Sequence, residues 1–105
     1  MSNQPTVSSA FQTFLDQAPK HSQAWMSAVQ GLDKASALDK KAEELAYLAV
    51  LAAMRMESGV PFHAQSAKQA GATREEIISA ILIGLPAAGQ VVIQSLPAAL
   101  SAYDS

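Results

Sequence analysis

Cysteine is absent from this chain of 105 residues. That absence excludes disulfides, thiolate nucleophiles and cysteine-ligated metals. Charge is scarce as well: Asp, Glu, Lys and Arg make up 15% of the sequence, against about 25% in an ordinary soluble domain. The seven Lys and Arg are scattered, and the formal net charge is −2. With no basic stripe to grip a polyanion, neither nucleic acid nor a membrane is an expected partner. No Gly-x-Ser-x-Gly elbow, phosphate loop or dinucleotide fingerprint is found, and no cofactor is expected. The opening "MSNQPTVSSAFQTF" lacks the basic start and apolar run of a secretory signal, which makes the cytoplasm the expected compartment.

What remains is largely apolar, at 50% hydrophobic residues. A chain of this size is one domain, residues 1–105, with a high ratio of surface to volume. It holds more apolar surface than a small monomer hides, so a homo-oligomer is expected, its helices burying their second faces on other subunits. The stretch Ile77–Leu100 is long enough to cross a membrane. Gly84, Pro86, Gly89, Gln90, Gln94 and Pro97 interrupt it, so it reads instead as two helices buried in protein.

No segment alternates with period two, while helical spacing recurs throughout, so the fold class is all-α with about six helices. The leading helices occupy residues 1–36. The first, Val7 to about Gln17, carries Phe11, Phe14 and Leu15 before Pro19; the second, about His21 to Val29, carries Trp25, Met26 and Val29. "GLDKASALDKK" reads as a polar connection ending at Asp39, a good N-cap. The third helix, Lys40 to Met54 or Met56, is apolar on nearly all sides, which predicts a central, fully packed element. A fourth helix with His63, Ala67 and Ala70 ends at Gly71, suited to a left-handed cap. "TREE", Thr73–Glu76, matches a capping box for a fifth helix, which "GLP" breaks. The last helix spans about Ala87 to Ala102.

Chemistry must come from histidines and carboxylates. Glu44 sits one turn into the most apolar helix, where an acid also favours the helix dipole. Glu43 and Glu44 cannot both face the core. His63 lies near a helix start, where the dipole favours a neutral imidazole able to relay a proton. His21 sits in a polar segment and reads as surface. Arg55 and Glu57 flank a turn, where such charges commonly solvate a helix end. Tyr47 and Met54 read as packing.

The helix hairpin decides whether Glu44 and His63 meet. A turn near residue 60 keeps them apart. If the second helix starts by about Ser58, with Pro61 in its first turn, and the first ends near Met54, their axial offset falls to roughly 8 Å. Two side chains then close most of the gap.

"LDKKAEELAYLAVLAAM", then "H…A…GATREEI", then "GLPAAG" resembles the AhpD-like alkylhydroperoxidase and carboxymuconolactone decarboxylase family. The resemblance covers about Leu38 to Gly89, and "FQTFLDQAPKHSQAW" looks like the leading helices of small members. It implies a family core over residues 38–89, an all-helical subunit, trimers or hexamers, and sites near subunit contacts. In the peroxidase branch an acid on the central helix, a Cys-x-x-Cys pair and a histidine four residues beyond form a thiol and proton-relay system. Glu44 matches the acid and His63 the histidine, but the cysteine positions fall on Met56 and Gly59. Neither thioether nor hydrogen attacks a peroxide or closes a disulfide, which removes thiol peroxidase chemistry. The decarboxylase branch implies acid and base groups acting on a lactone acid, with Glu44, His63 and Glu57 as candidate catalytic residues. A non-catalytic binding or scaffold oligomer is the alternative. Metal binding by the same three residues is disfavoured, since one histidine makes a poor ligand set.

Overall fold

The computed structural model describes residues 7–105, so the first six residues of the opening segment and of the leading helices lie outside the described residues. Among the described residues there is no strand. Six helices have nine or more residues: α1 (Ser9–Gln17), α2 (Pro19–Ala35), α3 (Lys40–Ala53), α4 (Val60–Gln69), α5 (Arg74–Leu82) and, after the four-residue α6 (Leu85–Ala88), α7 (Leu96–Asp104). Two 3-10 turns, Glu57–Gly59 and Gly89–Ser95, precede α4 and α7.

The helix boundaries follow local chemistry. Ser8 caps α1 by accepting from the Phe11 N–H at 3.1 Å, and Asp39 caps α3 by accepting from the Ala42 N–H at 2.8 Å. Both arms of the expected capping box form: Glu76 N–H donates to the Thr73 hydroxyl at 3.1 Å and Thr73 N–H to the Glu76 carboxylate at 2.8 Å. At the end of α4, Gly71 has φ 101°. The Gly71 N–H reaches the Lys68 carbonyl and the Ala72 N–H the Ala67 carbonyl, which is the Schellman arrangement. The end of α3 repeats it with Arg55 at the left-handed position, φ 61°.

Four expectations are corrected. The second helix begins at Pro19 and runs through Gly31 to Ala35, because proline is tolerated in a first turn and one glycine does not end a helix. The polar connection shrinks accordingly to Ser36–Asp39. The central helix is not fully packed: Leu48, Leu51 and Ala52 are buried, while Ala46, Tyr47, Val50 and Ala53 are exposed. The last helix is not continuous from Ala87, since Gly89 adopts φ 77° and a 3-10 stretch intervenes before α7. Finally, Ile77–Leu100, expected as two helices buried in protein, lies within an apolar stretch, Arg74–Asp104, that folds into α5, α6, a 3-10 turn and α7, with few of its residues buried inside the subunit.

The core gathers Leu48, Leu51 and Ala52 of α3, Val60, Ala64 and Ala67 of α4, Ile77 and Ile81 of α5, and Val92, Ala99 and Ala102 near the C-terminus. The C-terminus is tied down where Arg74 donates twice to Asp104, at 2.9 and 3.0 Å, and the Tyr103 hydroxyl donates to the Ala72 carbonyl at 2.9 Å. Helices α1 and α2 stand apart from this body, packing chiefly on each other. The radius of gyration, 14.1 Å, accordingly exceeds the roughly 13 Å of a compact chain this long. Trp25, Met26, Val29 and Leu32, spaced to share one side of α2, are all exposed.

Candidate functional site

The turn between α3 and α4 sets the site. α3 stops at Ala53, and the 3-10 turn from Glu57 starts the helical path of α4 three residues early. Pro61 falls inside the first turn of α4. The two helices then pair with Glu44 opposite His63, the shorter of the two hairpin geometries allowed by sequence.

His63 Nδ1 lies 2.7 Å from Glu44 Oε1. The carboxylate is nearly enclosed, with 7% of its side chain exposed, whereas 26% of the His63 side chain reaches solvent. Lys40, one turn before Glu44 on α3, places Nζ 3.0 Å from the other carboxylate oxygen. Burial alone would push the Glu44 carboxyl up. Hydrogen bonds from His63 and Lys40, with their charges, outweigh it and hold the group below its ordinary value. Glu44 is therefore ionised and can only accept. The proton between it and His63 belongs to Nδ1, and in the neutral ring Nε2 keeps a free lone pair.

Aromatic edges hold the imidazole. The Tyr47 ring packs on it at 4.5 Å between centroids and the Phe62 ring at 5.2 Å, with the ring planes inclined at 62° and 74°. Tyr47 is 46% exposed, so it serves as a wall beside the histidine rather than as core packing. Met54, also read as packing, is exposed too. Neither Lys40 nor Tyr47 stood out as a site residue in the sequence; the signal for both is helical spacing, four residues before and three after Glu44.

Among the described residues, the other candidates form no ion pair with Glu44 or His63. Glu43 is only half-buried, so it is Glu44 that turns to the core. Glu57 lies in the 3-10 turn, and among the described residues no three His, Asp or Glu side chains gather closely enough to hold a metal ion. His21 is exposed on α2. An open groove of about 460 Å³ runs between α3 and α5, lined by Leu45, Ala46, Ala49, Glu76, Ser79, Ala80 and Ile83. Neither Glu44 nor His63 lines it, so the groove and the charged pair are separate features of α3.

This arrangement is a carboxylate–imidazole dyad with one nitrogen committed to the acid and the other available. It can take and return a proton. Met56 and Gly59 occupy the positions that the resemblance gives to a thiol pair, and the chain offers no nucleophilic sulfur.

Comparison with known proteins agrees with the all-helical fold. No curated protein and no solved structure matches the chain. The model of the Carboxymuconolactone decarboxylase family matches residues 19–101, from the first residue of α2 into α7 and including Lys40, Glu44 and His63. With most of its length matched, and with an all-α fold, the chain belongs to the carboxymuconolactone decarboxylase family.

Proposed function

We propose that this protein is a cofactor-independent acid/base enzyme acting on a small organic acid of the lactone type, working in the cytoplasm as a homo-oligomer of three or six subunits. The observation that carries the catalytic reading is the 2.7 Å contact between a buried carboxylate and a partly exposed imidazole. His63 Nε2 accepts a proton from carbon next to a carbonyl, or returns one to the enolate left when carbon dioxide departs. Glu44 fixes the tautomer and stabilises the imidazolium while the proton is held. Family membership supports the reaction class. The oligomer is supported by the uncovered apolar side of α2 and by Tyr47, Val50, Met54, Met56 and Phe62, all exposed on α3, the hairpin turn and α4. A neighbouring subunit laid there would exclude water from the dyad.

The deciding experiment measures turnover of γ-lactone carboxylic acids by the wild-type protein and by His63→Ala. Loss of about 10²–10⁴-fold in kcat, with oligomer size and helicity unchanged, is the expected result. Equal rates in the two proteins would remove His63 from the chemistry.

A second reading has its own observation. The groove between α3 and α5 is lined by residues other than the dyad, as in a protein that binds or scaffolds without catalysis. Ligand binding that survives His63→Ala, with no turnover of any lactone acid, would select it.

A further inference from the structure

Glu44 has two oxygens and two basic partners. His63 occupies Oε1 and Lys40 occupies Oε2. A carboxylate this enclosed is costly without a compensating positive charge. While His63 is neutral, Lys40 is the one full cation within ion-pair distance of it among the described residues. We propose that Lys40 is a positioning residue for the dyad: by neutralising Glu44 from its second oxygen, it lowers the pH at which the protonated Glu44–His63 pair gives up its Nε2 proton and leaves that nitrogen free as a base.

Without Lys40, an imidazolium at position 63 would be the carboxylate's only counter-charge, and the pair would cling to it. With Lys40 in place, the imidazolium becomes a second cation on an already compensated acid, and the proton leaves more readily. Such a titration belongs to the pair rather than to either residue. The ammonium is held by α3 itself, since Lys40 is its first residue and the Asp39 cap at 2.8 Å fixes that turn. Around it stand Glu44 and Glu43 of the same helix and Asp33 of α2, and all three favour the charged lysine. From α4 the facing titratable group is His63, with the Tyr47 ring packed against it.

The effect on turnover rests on the acid/base reading; the effect on the pair's titration does not. The test is a proton NMR titration of the His63 ring in the wild type, Lys40→Met and Lys40→Arg, with His63→Gln assigning its signal against that of His21. Lys40 is largely exposed, so Lys40→Met keeps the fold and most of the side-chain stem. The midpoint is expected to rise in Lys40→Met by about half a pH unit, the size expected for a partly solvated charge. Lys40→Arg should restore the wild-type midpoint. Coincident curves for the wild type and Lys40→Met would overturn the proposal, as would a shift that Lys40→Arg leaves in place, which would reflect lost packing. Where turnover is measurable, the acid limb of kcat/KM should move by the same amount. A shifted midpoint in a protein with no turnover would sink the enzyme reading and leave the assignment of Lys40 standing.

Discussion

Glu44 and His63 are nineteen residues apart in sequence and 2.7 Å apart across the α3–α4 hairpin. A side-chain bond between helices does two things at once: it closes the hairpin, and it commits one nitrogen of the imidazole. Its energetic weight depends on Glu44 remaining charged.

That dependence has a definite sign. The Glu44 carboxyl is held below its ordinary value of 4.5, so ionised Glu44 favours the folded chain. The contribution is fully present above about 4.5 and is lost as pH falls through the lower folded-state value. Replacing Glu44 by Gln should cost about 1–3 kcal/mol at neutral pH, since His63 and Lys40 lose a charged acceptor. In urea titrations from pH 7 down to pH 3, the stability gap between wild type and Glu44→Gln should narrow as the acid protonates. A gap constant over that range would mean that the charge contributes nothing.

Arg55 should respond in the opposite direction. It ends α3 at φ 61°, in a left-handed position that glycine occupies without steric cost, as Gly71 does after α4. Arg55→Gly is expected to stabilise the fold by up to about 1 kcal/mol. Thermal denaturation at fixed protein concentration would register this as a rise in Tm, and an unchanged or lowered Tm would show that the arginine side chain offsets the strain through contacts of its own.

What could be read beforehand was the punctuation. Asp39, Gly71 and the Thr73–Glu76 box act on groups three or four residues away, so their meaning is local and survives without knowledge of the fold. The meeting of Glu44 and His63 was conditional, because it turns on three residues, Glu57 to Gly59, forming a 3-10 turn that periodicity over so short a span does not reveal. The exposed side of α3 was misread for another reason. Tyr47 and Val50 are as apolar as any core residue, and hydropathy does not distinguish a surface covered within the subunit from one left for something else to cover. Lys40 was legible only in hindsight, since an i, i+4 lysine–glutamate pair is ordinary on a solvated helix and acquires weight here from the burial of its acid.

The side of α2 formed by Trp25, Val29 and Leu32 gives the third prediction. Leu32 is 70% exposed and Trp25 56% exposed, on a helix that packs chiefly on α1. If these side chains bury against another subunit, Leu32→Asp should dissociate the assembly, because an unpaired carboxylate in an apolar contact is strongly unfavourable. Multi-angle light scattering on dilute samples should show the wild type at a multiple of 11.0 kDa and the variant at a smaller multiple. A wild type that is monomeric throughout would withdraw the oligomer altogether.

The last prediction restores what the chain lacks. Met56 and Gly59 have the spacing of a Cys-x-x-Cys pair, and Gly59 stands one turn before His63 on the path into α4. Gly59 has ordinary helical dihedrals, φ −87° and ψ −13°. A Cβ built there would meet the Leu51 δ-carbons at 3.4 and 3.5 Å, close to normal contact. The backbone therefore accepts cysteine at this position. In Met56→Cys/Gly59→Cys the Glu44–His63 dyad would lie beside a thiol that it can help to ionise. The double variant is expected to consume an organic peroxide and lose both free thiols to a disulfide, whereas the wild type and the double variant carrying His63→Ala should do so slowly or not at all. Thiol titration before and after peroxide, with mass spectrometry of the disulfide, reads the result. Equal oxidation with and without His63 would show that the dyad lies too far from position 59, or is turned away from it, to act on a sulfur there.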